Sequence, residues 1–148
     1  MIGHSLDGYF DGLQFGVGVS GGGEAILHTV NRLIEDRGGD VGLSMLLVDF
    51  KNAFNMVYRA VMLREVRLRV PAISRWVEFC YSNPARLYYG EHTLWSHQGV
   101  QQGDPLGPLL FALVLHPLAC KIRDSFTLSL QAWYLDDGTI IGDTLVVG

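Results

Sequence analysis

The amino-acid sequence predicts an α+β protein, an antiparallel sheet with helices packed on one face. Three observations predict it. Apolar residues recur at helical spacing in four segments, short apolar runs lie between them, and two of those runs are doubled across turn signals as hairpins. The resulting order is helix, strand, two helices, hairpin, helix, hairpin. At 148 residues, with 49% apolar and 18% charged side chains, the chain has the size and composition of one globular domain with one core.

Residues 1–23 hold eight of the eighteen glycines and few apolar pairs at helical spacing, so they read as a loop or frayed entry segment. Gly21-Gly22-Gly23 is not followed by Gly-Lys-Ser/Thr, which argues against a phosphate-cradling loop. Residues 24–148 carry the folded domain. A helix over about 24–36 places Ile26, Val30, Leu33 and Ile34 on one face, with His28 as a half-buried structural side chain, and Gly38-Gly39 ends it. Leu43 to Val48 is a short, buried apolar strand with Asp49 at its end. Helices follow over about 59–69 and after Pro71, the second with Ile73, Trp76, Val77, Cys80 and Tyr81 at helical spacing. Leu87–Gly90 and Thr93–His97 form a hairpin turning at Gly90-Glu91. Gln98 to Gly107 is a polar loop opening onto an apolar helix over about 105–122, in which Pro117 is expected to produce a kink or an early end. An apolar run from Leu128 to Leu135 then leads into Asp136-Asp137-Gly138 and a second run, Thr139 to Ile141.

Composition excludes several function classes. The longest apolar stretch, Pro105 to Leu118, is too short to span a membrane and contains three prolines. No basic segment followed by an apolar one opens the chain, so no secretory signal is expected; the expectation is an intracellular protein whose compartment the sequence leaves open. Cys80 and Cys120 lack metal-type spacing and read as buried thiols in a reducing compartment, a disulfide being the alternative. The net charge of −4 is not that of a typical nucleic-acid binder. Residues 51–86 nevertheless hold seven of the eleven bases against Glu65 and Glu78, which makes either a positive face or an ordinary solvated helix face.

The chemistry-bearing residues are acids. Asp136 and Asp137 are adjacent, and two neighbouring carboxylates repel unless a cation stands between them. Taken alone, the pair reads as an ordinary Asp-Gly hairpin turn. Asp49 at a strand end and Asp104 at a helix entry change the balance. Were the Leu43–Val48 strand to lie beside the Leu130–Leu135 strand, acids 87 residues apart would meet at one end of a sheet. Such a group suits two Mg²⁺ ions, which take carboxylate and phosphate oxygens, and a pair roughly 3.5–4 Å apart serves in-line phosphoryl transfer.

The segment Leu46-Leu47-Val48-Asp49-Phe50-Lys51-Asn52-Ala53-Phe54-Asn55 resembles the first palm motif of reverse transcriptases, particularly those of non-LTR retrotransposons and group II introns. Gly99 to Phe111 (GVQQGDPLGPLLF) resembles their second motif, and Tyr134-Leu135-Asp136-Asp137-Gly138 is similar to their catalytic hairpin. A looser likeness runs back to about Gln14, through Phe15-Gly16-Val17-Gly18-Val19 and Glu24.

The resemblance implies a polymerase palm with part of the fingers and no thumb. It implies RNA-directed DNA polymerase activity, with an RNA template, a DNA primer and dNTPs as partners and two Mg²⁺ ions, or Mn²⁺, as cofactors. By the same likeness Asp49 and Asp136 bind both metals, Asp137 supports the site and the Phe50 carbonyl is a further ligand. Phe54 lies under the sugar and rejects a 2′-OH, and Gln102 and Gly103 line the nucleotide pocket, the small Gly103 allowing close approach.

The sequence departs from the family pattern at Gly107, where serine is commoner, and at Asn55, where many members carry aspartate. It ends ten residues after Gly138, before a primer grip or thumb, so a partial domain is expected. The alternatives are a catalytically inactive retroelement remnant with weak nucleic-acid binding, or a fragment of a viral RNA-copying polymerase.

Overall fold

The structure, a computed structural model, describes residues 6, 8–10 and 12–148; the rest of the expected entry segment lies outside the described residues. The described chain is α+β with antiparallel sheets, and it divides into two compact units. One contains Asn52–Val114; the other contains Gly8–Lys51 and Leu115–Gly148. Length alone had suggested a single core.

The second unit is built on a three-stranded sheet in the order β1-β5-β4: β1 (Leu43–Val48), β4 (Leu128–Tyr134) and β5 (Asp137–Asp143). Both pairings are antiparallel, and the central strand β5 is the most buried. β1 is not the buried strand its composition suggested. It lies at the sheet edge, with Met45, Leu46 and Leu47 49%, 43% and 68% exposed. A short helix, α6 (Thr144–Val147), follows β5, and its Thr144 N–H donates to the Gly42 carbonyl just before β1 (2.7 Å). Helix α1 (Gly22–Arg37) runs between Gly21 and Gly38; Ile26, Val30 and Leu33 are its half-buried face, while Ile34 and His28 are exposed, so His28 is not the half-buried residue expected.

Before α1, residues 12–21 form no regular helix or strand, as their glycines suggest, yet part of this segment is pinned. The Trp133 N–H donates to the Leu13 carbonyl and the Phe15 N–H to the Trp133 carbonyl, both at 2.7 Å, and Gln14 forms a parallel bridge with Trp133.

In the first unit α2 (Ala53–Met56), α3 (Arg59–Arg69) and α4 (Pro71–Tyr81) precede the hairpin β2 (Ala85–Tyr89) and β3 (His92–Ser96). Pro71 ends α3 and opens α4 at its first position, where the missing N–H costs nothing. Met62, Val66, Val70, Val77 and Leu110 are almost wholly buried in this unit.

Helix α5 (Gly107–Ser125) belongs to both units, and it differs from expectation at both ends. It begins two residues after Pro105 and continues through Pro117 to Ser125. A proline deprives a helix of one hydrogen bond, and here the turns on either side suffice without an early end. Cys80 and Cys120 are free and half-buried rather than buried.

Asp-Gly turns out not to be the β4–β5 turn. Tyr134 pairs with Asp137, so the turn residues are Leu135 and Asp136, and Gly138 lies inside β5 opposite both Val48 and Trp133. Its lack of a side chain makes room for the Trp133 ring: a Cβ there would stand 2.4 Å from the nearest ring carbon. Gly138→Ala should therefore displace the fully buried Trp133 and destabilise the fold by about 1–3 kcal/mol, as overpacking does, measurable by urea unfolding.

Candidate active site

The acids are brought together by strand register. Val48, the last residue of β1, stands opposite Gly138. The next residues outward are Asp49 and Asp137, and Asp136 follows on the turn. Acids 87 and 88 positions apart in sequence thus lie at one end of one sheet. The neighbour of β1 is β5, not β4, the arrangement considered from the sequence. A shared sheet end remains because β5 begins with Asp137. Phe50, next after Asp49, stacks on Trp133 with ring centroids 5.9 Å apart and planes 8° from parallel. That contact ties the segment leaving β1 to the sheet.

Asp49 and Asp137 are exposed and Asp136 is half-buried. Their oxygens, with the Phe50 carbonyl, are the hard donors that Mg²⁺ or Mn²⁺ takes, so the donor chemistry fits those ions. The side chains do not form the ready-made cluster expected from sequence: among the described residues no three His, Cys, Asp or Glu side chains gather as a metal-binding group. Like charges at one sheet end repel, and a closer approach calls for a counter-charge.

The first unit collects the other three predicted residues. The Val100 N–H donates to the Phe54 carbonyl (2.8 Å), the Gly99 N–H to the Val57 carbonyl (2.9 Å) and Gln98 Nε2 to the Met56 carbonyl (2.7 Å). The loop after β3 is thereby laid along residues 54–57. Phe54 stacks on Phe111 of α5 at 4.6 Å. Phe54, Gln102 and Gly103 line one cavity of about 360 Å³ with Val100, Asp104 and Pro108, a volume in the range of small-molecule sites. Gly103 has φ +86° and open space where a Cβ would stand, so glycine is called for by backbone conformation rather than by a close neighbour.

Residues 28–146 match the family model described as reverse transcriptase (RNA-dependent DNA polymerase). That is most of the chain. It belongs to the reverse transcriptase family. A curated relative, the retrotransposable element SLACS 132 kDa protein of Trypanosoma brucei gambiense, is 29% identical over 138 residues. The alignment covers 88% of this chain and 11% of that protein, so the chain spans about a ninth of the relative's length.

This reverse-transcriptase loop has supports that sequence reading missed. Arg59, 8% exposed, donates from Nε to the Gly99 carbonyl (3.0 Å), from one terminal nitrogen to the Ser96 carbonyl (2.8 Å) and from the other to Ser96 Oγ (2.8 Å) and the Gln98 carbonyl (3.3 Å). Its guanidinium lies over the Tyr81 ring, 5.3 Å from the centroid. The Tyr81 hydroxyl donates to Asp104 Oδ2 (2.5 Å) and accepts from the Gln101 N–H (3.1 Å), while Asp104 Oδ1 accepts from the Leu106 N–H (2.8 Å). One basic and one aromatic side chain thus hold the loop from Ser96 to Leu106. A signal was present in the sequence: Arg59 opens α3, where the helix dipole disfavours a cation, so the charge needs another reason.

Burial, and then the hydrogen bond to Asp104, push the Tyr81 phenol well above its usual range, and burial lowers the Arg59 guanidinium from its own. The unfolded chain gives up the Tyr81 proton near pH 10, whereas the folded chain keeps it. Stability from this group is complete below pH 10 and falls as pH rises above it, by up to about 1.4 kcal/mol per pH unit. Urea unfolding between pH 9 and 11 should show that slope in the wild type and a shallower one in Tyr81→Phe.

Proposed function

We propose that this chain is the catalytic part of an RNA-directed DNA polymerase, which adds dNMP units from dNTPs to a primer 3′-OH on an RNA template. The observation that supports it most is the register that puts Asp49, Asp137 and the Asp136 turn at one end of the β1-β5-β4 sheet. Membership of the reverse transcriptase family supports the same reading.

In this reading Asp49 and Asp136 hold two Mg²⁺ ions, with Mn²⁺ as a substitute, Asp137 supports them and the Phe50 carbonyl is a further oxygen ligand. Such ions, when bound, acidify a primer hydroxyl and stabilise the charge that develops at the α-phosphate. The chain's own contribution is placement. β5 carries Asp137 and the turn carries Asp136, so neither acid depends on a long flexible loop. Phe54, backed by Phe111, offers a ring face against which a ribose 2′-OH would collide, favouring dNTPs. Gln102 and Gly103 border the cavity that takes the nucleotide.

Single-nucleotide primer extension on an RNA template tests the reading. Short, Mg²⁺-dependent extension is expected, with Asp136→Ala lowering its rate by about 10³-fold or more, the scale of losing electrostatic stabilisation in a transition state. Extension that persists in Asp136→Ala would overturn the role given to that acid, and a wild-type chain that adds no nucleotide would favour a non-catalytic remnant. Metal binding provides a second test. Mg²⁺ or Mn²⁺ at about 100 times its Kd should add roughly 2.7 kcal/mol of stability, a shift of several degrees in Tm. Asp49→Asn should abolish that shift.

A further inference from the structure

The acid turn has an unusual backbone. Leu135 has φ +55°, the left-handed region that a side chain with a Cβ enters only when its surroundings hold it there. Those surroundings are supplied by Gln14, 121 residues earlier and 5% exposed. Its Oε1 accepts from the Leu135 N–H (2.8 Å) and its Nε2 donates to the Leu135 carbonyl (3.2 Å), so one side-chain amide grips both polar groups of one residue. The same Oε1 accepts from the Gly16 N–H (2.9 Å). Backbone bonds on both sides of Gln14, from Trp133 N–H to Leu13 and from Phe15 N–H to Trp133, hold the amide in place (2.7 Å each). Gly16 completes the arrangement, because a Cβ there would stand 2.8 Å from the Leu135 nitrogen and side chain.

We propose that Gln14 is a positioning residue for the metal-binding acids, its amide holding the Leu135 peptide in the left-handed conformation and so setting the direction of Asp136. The metal part of this statement rests on the polymerase reading above; the grip on the turn does not. A buried glutamine that only satisfied its own hydrogen bonds would leave the acids unaffected when replaced by an apolar side chain of similar length. A positioning glutamine would not.

The test uses the full chain with Gln14→Met, Leu135→Gly and the two combined. Amide exchange is followed at Leu135 and at Ile140 in the sheet, and Mn²⁺ affinity is measured by electron paramagnetic resonance. Gln14→Met should speed exchange at Leu135 far more than at Ile140. It should also weaken Mn²⁺ binding about 10–100-fold, as loss of a residue that orients a metal ligand does. Leu135→Gly in the Gln14→Met background should restore most of that affinity, since glycine takes positive φ without help. Unchanged exchange at Leu135, an equal rise at Ile140, unchanged Mn²⁺ affinity, or no rescue by glycine would each overturn the proposal. If the wild-type chain binds no Mn²⁺, the metal reading fails and the Leu135 exchange rate alone decides whether Gln14 holds the turn. If Gln14→Met does not fold, the double variant decides: folding restored by glycine upholds the grip, and continued failure overturns it.

Discussion

Everything at the acidic end of the sheet depends on β5 being the middle strand. Its pairing with β1 and with β4 converts sequence separation into spatial adjacency, and it does so through one register. A slip of one residue would turn Asp137 to the other face and misalign it with Asp49. The contact that opposes a slip is the Trp133 ring over Gly138, a place where no other residue leaves room. Phe50 lies against the same ring, so the packing that defines the register also reaches the residue after Asp49.

Two different physical devices support the two groups of candidate site residues. The acids sit on sheet pairing and a two-residue turn, where backbone geometry leaves few degrees of freedom. Gln102 and Gly103 sit on a loop, and loops need outside help to be rigid. Arg59 gives that help as a many-donor fork aimed at carbonyl oxygens, a task suited to guanidinium geometry. Tyr81 and Asp104 close the far side. Neither arrangement draws on apolar burial alone, which is why polar residues with long sequence separations recur in both.

Much of this was legible in the sequence. The helices of residues 59–69 and after Pro71, the strand Leu43–Val48 and both hairpins follow from periodicity and turn residues, and the structure has them there. The position of the acids at one sheet end was legible because Asp49 ends a strand and Asp136-Asp137 interrupt two apolar runs, whereas the expected side-chain cluster is not formed among the described residues. What was not legible came from long-range partners. Periodicity reports which residues are apolar, not which strand neighbours which, so the pairing of β1 with β5 was not foreseen and its exposed edge read as buried. Asp-Gly looked like a turn because local statistics do not know about Trp133. Gln14 lay in a glycine-rich stretch where the family likeness is loose and assigned it no role, and its partner is 121 residues away. Pro117 does not end the helix early, since α5 continues past it to Ser125.

The order in which these strands leave the ribosome has a consequence for biosynthesis. β1 emerges early, but its partner β5 is made only after the whole Asn52–Val114 unit, whose own pairings are local. Until then an apolar stretch with unpaired backbone waits without a template, the situation in which nascent chains stick to one another. Yield in a cell would therefore be governed by translation speed and chaperone supply as much as by the final stability of the fold.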